Sequence, residues 1–85
     1  MKPVRTIAEI ENSAKGAVQA LYGTDITDFK VRVVFAFPNE HKRDSWDVQV
    51  KFLLNGLEYT VDLIIQEKDG QITNTRLIDI MVPLL

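Results

Sequence analysis

The stretch Trp46–Gln66 decides the fold: it reads WDVQVKFLL, then Asn55-Gly56, then LEYTVDLIIQ. Apolar and polar residues alternate in both runs, as they do in strands with one buried face. Asn-Gly is the dipeptide that best suits the two positive-φ positions of a type I′ hairpin turn. Counting outward from this turn predicts five apolar pairs on one face: Leu54 with Leu57, Phe52 with Tyr59, Val50 with Val61, Val48 with Leu63, and Trp46 with Ile65. A slip of one residue would turn all of them outward, so the register is strongly specified.

A helix is predicted upstream of the hairpin, beginning after Thr6 and ending at Gly23. Thr6 and Glu9 have the spacing of a capping box, in which each side chain accepts a hydrogen bond from the other residue's backbone N–H. Gly23 suits the C′ position that ends a helix. Apolar residues between these signals recur every three or four positions and form a stripe on one face of the helix: Ile7, Ile10, Ala14, Ala17, Val18 and Leu21.

Two further strands are predicted, one on each side of the hairpin in sequence. The first covers residues 29–37, and its alternation predicts an inner face made of Phe29, Val31, Val33, Phe35 and Phe37. The last strand runs from about Gln71 to Val82, after the turn signal Asp69-Gly70. Its alternation is mixed, so either this strand carries a bulge or Asn74 and Arg76 lie beyond the edge of the helix.

The order of these elements predicts an α+β fold in a single domain, residues 1–85. One N-terminal helix would pack on a four-stranded antiparallel meander sheet (α-β-β-β-β). This arrangement resembles the cystatin-like architecture, and three motifs are similar to those of PepSY-type domains and of the gas-vesicle accessory protein GvpO: Trp46-x-Val48-x-Val50, Tyr59-x-Val61-x-Leu63 and Asp69-Gly70-x-Ile72. The resemblance implies a non-catalytic binding or regulatory module. Protease inhibition is not implied, because the sequence lacks the Gln-x-Val-x-Gly loop of true cystatins.

The composition argues against several classes of function. The 85 residues include no cysteine, which excludes disulfides, thiolate metal sites and a cysteine nucleophile. A formal net charge of −2 is unlike the strongly basic balance of most nucleic-acid-binding domains. The sequence shows neither a secretory signal nor a membrane-spanning run. We therefore expect a cytoplasmic protein without a cofactor, a metal or a membrane partner.

Few side chains suggest catalysis, and we predict no catalytic residue. His41 is the only histidine and lies in the polar loop that follows Pro38, where a solvated role is the simpler interpretation. Asp62 and Asp79 could approach each other on the outer face of the sheet. Cross-strand ion pairs explain these two carboxylates more simply than acid–base catalysis does.

The apolar residues that break the inner-face alternation are more informative. They would lie on the sheet face away from the helix, and an exposed apolar patch usually marks an interface. Together with the apolar C-terminal end, they are the candidate interface: Val34, Leu53, Ile64, Leu77, Met81, Leu84 and Leu85, with Ala36 also out of phase. We predict a small interaction or assembly module that forms a homodimer or binds another protein.

Two alternatives remain open from the sequence. A ligand-binding or small enzymatic domain could use a pocket between helix and sheet, with His41, Arg43 and Trp46 at its mouth. Nucleic acid could instead bind a basic cluster on the first strands and the polar loop: Lys30, Arg32, His41, Lys42, Arg43 and Lys51.

Overall fold

The computed structural model describes residues 3–83 and contains one helix followed by four strands. The elements are α1 (Ile7–Tyr22), β1 (Thr27–Phe37), β2 (Ser45–Leu54), β3 (Leu57–Gln66) and β4 (Ile72–Met81). All neighbouring strands pair antiparallel in the order β1-β2-β3-β4. The predicted α+β meander is therefore confirmed. Among residues 3–83, no helix has the length and apolar character required to cross a membrane.

The helix begins and ends at the predicted signals. The Thr6 hydroxyl accepts a hydrogen bond from the Glu9 N–H at 3.2 Å, and the Glu9 carboxylate accepts one from the Thr6 N–H at 2.9 Å. The backbone hydrogen bonds from Arg5 and Thr6 lower the pKa of Glu9, since they favour its charged form. At the other end, the Gly23 N–H donates to the Gln19 carbonyl at 2.9 Å. Both boundaries thus follow from local hydrogen bonding.

The β2–β3 hairpin has the predicted register at all five apolar pairs. Asn55 and Gly56 adopt φ values of 53° and 79°, as a type I′ turn requires. The central members of these pairs are almost completely inaccessible and form the core with Ile10, Ala14 and Val18 of α1: Val48, Val50, Phe52, Val61, Leu63 and Ile65. The hairpin therefore supplies most of the surface on which α1 packs.

A bulge in β1 reverses the predicted alternation of that strand beyond Val31. The register shifts between Thr27 and Lys30 and again between Val31 and Val33. Val34 consequently lies opposite Val48 and packs against the core, whereas Phe35 lies opposite Asp47 and is 63% exposed. The sequence prediction was wrong for the five residues beyond this second shift, since an inserted residue exchanges the two faces of every residue that follows it: Val33, Val34, Phe35, Ala36 and Phe37.

Two bulges also explain the mixed alternation of β4. The register against β3 shifts between Ile64 and Ile65 and between Thr60 and Val61. Leu77 is therefore opposite Val61, on the side of the sheet that carries α1, and not on the opposite face as predicted. Met81 lies opposite Glu58, on the predicted face. Of the two explanations left open by the sequence, the bulge is the one found.

Candidate functional site

The sheet face opposite α1, called here the open face, contains only part of the predicted interface. Leu53 is half-buried on this face, and Ile64 is only 8% exposed because it occupies a central strand between Asp47 and Asn74. Met81 is the predicted residue that is exposed there. Leu84 and Leu85 lie outside the described residues, and Val34 and Leu77 belong to the helix side. The open face alone is thus a poor apolar patch.

The exposed apolar side chains are concentrated instead at the end of β4. This cluster, called here the β4 edge, spans residues 77–82, and its apolar members are between 42% and 75% exposed: Leu77, Ile78, Ile80, Met81 and Val82. It includes side chains on both faces of the strand, since Leu77 and Ile80 pair with helix-side residues of β3 and Met81 pairs with Glu58. The exposure arises because β4 is the outermost strand and α1 packs closest to β3.

The β4 edge also has unpaired backbone groups. β4 pairs with β3 on one side, and no other strand among residues 3–83 pairs with its outer side. The outward N–H and C=O groups of an edge strand can hydrogen-bond to a further strand. Natural edge strands are usually protected by proline, by lysine or by a covering element. β4 contains neither proline nor lysine, but its two bulges and its charged residues Arg76 and Asp79 restrict which strand could be added to its outer side.

Sequence reasoning missed Ile78, Ile80 and Val82. A signal was present, because two apolar groups, Leu77-Ile78 and Ile80-Met81-Val82, interrupt the alternation in the last strand. Adjacent apolar residues at a strand end place side chains on both faces, which one-sided packing against a helix cannot bury. Phe35 and Phe37, exposed on the other edge strand, were missed because of the bulge in β1.

Two carboxylates approach each other on the open face, although they are not the predicted pair. Asp79 lies opposite Thr60, and Arg76 lies opposite Asp62. Asp62 instead interacts with Asp47 of β2: burial, followed by the hydrogen bond and the negative charge of Asp47, raises the pKa of Asp62 to about 6, and Arg76 offsets part of this effect. Asp62, beside Asp47, therefore retains its proton in mildly acidic solution. No group of three or more candidate metal ligands occurs within residues 3–83.

Replacement of Asp62 by asparagine should stabilise the protein at neutral pH. Because the pKa of Asp62 is raised in the folded protein, protonation of Asp62 stabilises the fold. This stabilisation is fully present below pH 3.8, the ordinary pKa of the side chain, and it is lost as the pH rises through 6. At pH 7, Asp62→Asn should raise the free energy of unfolding by about 1 kcal/mol, a value reduced for solvent screening. Urea unfolding at pH 4 to 7 measures the difference between the two proteins. A difference that does not grow with pH would contradict the prediction.

A second variant tests the origin of the raised pKa. Asp47→Asn removes the neighbouring negative charge and should shift the NMR titration midpoint of Asp62 from about 6 towards 3.8. An unchanged midpoint would show that burial alone holds the pKa of Asp62 high.

The residues predicted at the mouth of a pocket form a structural contact. Arg43 donates two hydrogen bonds to the Glu67 carboxylate, from Nε at 2.9 Å and from Nη2 at 3.0 Å, and its guanidinium lies 4.5 Å from the Trp46 ring centroid. Trp46 Nε1 donates to the Val4 carbonyl at 2.8 Å, and the Val4 N–H donates to the Glu67 carbonyl at 2.7 Å. The two hydrogen bonds of the Val4 backbone hold the N-terminal segment, meaning the residues around Val4 that precede α1, against one end of the sheet. Arg43 and Trp46 are thus brought together, and His41 lies in the exposed loop.

A depression of about 270 Å³ lies beside this contact, lined by Arg5, Asp44, Gln66, Glu67 and Lys68. It is a surface feature at the end of the sheet. The space between α1 and the sheet is filled by the buried core, in which Ile10, Ala14, Val18 and the inner hairpin residues are at most 1% exposed.

The predicted basic cluster is partly paired with carboxylates. Lys51 Nζ lies 2.9 Å from Glu58 Oε1, and Arg43 is bound to Glu67 as described above. Lys30 lies directly opposite Lys51 on the open face. Pairing of this kind reduces the positive potential that would attract a phosphate backbone.

No protein-family model, no curated protein and no solved structure matches this chain.

Proposed function

We propose that this protein is a small, non-catalytic interaction module that associates with a second copy of itself through the β4 edge. The single observation that carries the proposal is the set of exposed apolar side chains between Leu77 and Val82, on an edge strand whose outer side pairs with no other strand within residues 3–83. This surface replaces most of the interface expected from the sequence. Leu77 and Met81 belong to both.

Two physical arguments support binding at this surface. Contiguous exposed apolar residues are rare on monomeric proteins and usually mark a binding site. An edge strand adds main-chain hydrogen bonds, and its side chains provide specificity. The resemblance to PepSY-type domains and to GvpO, proposed from the hairpin motifs, also implies a binding role without catalysis.

A second copy of the chain is the simplest partner. Identical β4 edges can meet about a two-fold axis, which closes the assembly after two subunits. Contact between β4 of one copy and β1 of the next would leave further edges free and would build filaments. The strand β4 contains one residue of each charge, Arg76 and Asp79, so the β4 strands of two copies meet without net repulsion.

The alternatives from the sequence receive less support. A pocket between helix and sheet would need space that the buried core residues fill. A nucleic-acid site would need free cationic groups, and Lys51 and Arg43 are paired with carboxylates.

Substitution of Ile80 by lysine should weaken self-association. A charge in the middle of an apolar interface must be desolvated, so we expect the dissociation constant of the dimer to rise by at least about tenfold. Sedimentation equilibrium from 5 to 500 µM, as order-of-magnitude limits, measures it.

Phe35→Lys is the matched control, because Phe35 is also an exposed apolar residue but lies on the opposite edge strand. It should leave the dissociation constant unchanged. A wild-type chain that is monomeric over the whole range would refute self-association. Weakening by Phe35→Lys alone would place the interface on β1.

A further inference from the structure

We infer that two copies pair antiparallel through β4 in one register, with Arg76 of each copy opposite Asp79 of the other. This inference rests on the proposed self-association and specifies its geometry. The two-fold axis would pass between Leu77 and Ile78, so these two residues lie opposite each other across the interface. The result is one continuous eight-stranded sheet.

The bulge in β4 makes this register possible. Residues directly opposite in an antiparallel pair project to the same face of the sheet. Residues three apart in a regular strand project to opposite faces. Because the register shifts between Thr60 and Val61, Arg76 and Asp79 both pair with open-face residues of β3, namely Asp62 and Thr60. Arg76 and Asp79 can therefore face each other across a two-fold axis.

The charges of β4 favour this register. Each copy supplies one arginine and one aspartate, so the dimer would contain two identical ion pairs on the open face. Within residues 3–83, the ion pairs are Arg5–Glu67, Arg43–Glu67 and Lys51–Glu58, and neither Arg76 nor Asp79 takes part in them. Both charged groups are exposed and can reach a partner.

The uncharged residues fit the same register. Thr75 would face Ile80, both of which pair with helix-side residues of β3, and Asn74 would face Met81, both of which pair with open-face residues. A shift by one residue would oppose side chains of different faces. A shift by two would place Arg76 opposite Met81 in one direction and opposite Leu77 in the other, which sets charge against apolar surface in both cases. The Arg76–Asp79 register therefore avoids unfavourable contacts that its neighbours contain.

The two-fold axis would be perpendicular to the sheet, because directly opposite residues share a face. Both α1 helices would consequently lie on the same side. Leu77 and Ile80 of the two copies, which project to that side, would form one continuous apolar strip between the helices. Burial of this strip supplies the hydrophobic contribution, and the open-face ion pairs supply the register.

A charge-exchange experiment tests the register. Arg76→Asp places two carboxylates opposite each other at both ends of the interface, and Asp79→Arg places two guanidinium groups there. Each variant alone should dimerise roughly tenfold more weakly than the wild type. An equimolar mixture should form heterodimers with approximately wild-type affinity, because every introduced charge then faces its opposite. Native mass spectrometry of mass-labelled chains distinguishes heterodimers from homodimers.

The mixture also controls for effects within one chain. Arg76→Asp brings a carboxylate next to Asp62 of the same strand pair, which can destabilise the monomer. Such an effect would persist in the mixture, whereas repulsion across the interface would disappear. Preferential heterodimers therefore show that β4 of one copy lies against β4 of the other, and the register is measured by cross-linking.

Disulfide trapping provides an independent measurement, since the chain has no native cysteine. In the proposed register, Asn74 of one copy is opposite Met81 of the other. Asn74→Cys and Met81→Cys should cross-link when the two variants are mixed and oxidised. Neither should cross-link alone, because identical positions would then be roughly 20 Å apart along the strands.

The outcomes separate the register from the self-association on which it rests. Preferential heterodimers and mixed cross-links support the register. The register is overturned if the wild type dimerises, neither charge reversal changes the dissociation constant, and the mixed cysteine variants do not cross-link. That result leaves the proposed self-association intact. A wild-type chain that remains monomeric at the highest concentration overturns both.

Discussion

Replacement of Phe52 by alanine is expected to lower the free energy of unfolding by about 3–5 kcal/mol. Phe52 is 1% exposed, and its ring stacks on Tyr59 with centroids 5.3 Å apart and packs at 5.2 Å against Tyr22 of α1. The substitution leaves a cavity at the point where the helix meets the hairpin. A domain of this size is stable by only about 4–13 kcal/mol, so a large part of its stability would be lost. Urea unfolding at one low protein concentration measures the change.

Phe35→Ala is the matched control for this prediction. The same side chain is removed from a position that is 63% exposed, and we expect a change within about 0.5 kcal/mol. Equal losses from the two variants would mean that Phe35 is part of the core. That result would contradict the reversal of faces caused by the bulge between Val31 and Val33 in β1.

This pair of phenylalanines shows which parts of the fold the sequence could predict. Phe52 belongs to a hairpin whose register is specified by an Asn-Gly turn and by alternation without interruption, and all of its predicted pairs are found. Phe35 follows a bulge. The cost of a bulge depends on twist and on the neighbouring strand, so a regular alternation such as that of residues 29–37 gives no sign of it.

The same reason limited prediction of the site. Leu77 was expected on the open face, and Asp62 was expected to approach Asp79, because both expectations assumed a regular β4. The shift between Thr60 and Val61 moves Leu77 to the helix side and brings Arg76 opposite Asp62. Bulges are frequent at sheet edges, where they change the direction of side chains without disturbing the core. The faces of the hairpin residues were thus predictable from the sequence, whereas residues beyond a bulge in the edge strands, such as Val34 and Leu77, were placed on the wrong face.

Replacement of Gly70 by alanine is expected to destabilise the protein by about 2–3 kcal/mol, the second largest effect. Gly70 has φ 75°, and a non-glycine residue in this conformation costs about 1–2 kcal/mol. A Cβ atom here would also lie 2.9 Å from Val4 Cγ2 and 3.1 Å from Ser13 Oγ. Val4 is 4% exposed and cannot easily move, since its backbone binds both Glu67 and the Trp46 ring nitrogen. Thermal and urea unfolding measure the loss.

Gly56→Ala separates the two contributions. Gly56 has nearly the same φ, 79°, but a Cβ atom there would meet nothing within 4 Å, so only the conformational cost of about 1–2 kcal/mol applies. The excess loss in Gly70→Ala reports the clash with the N-terminal segment. Combining Gly70→Ala with Val4→Ala should relieve that clash, giving a double variant more stable than the sum of the single losses predicts. The prediction is contradicted if the two glycine variants lose equal free energy of unfolding and show no coupling to Val4. In that case the N-terminal segment around Val4 moves at little energetic cost, and its hydrogen bonds to Glu67 and Trp46 do not fix its position.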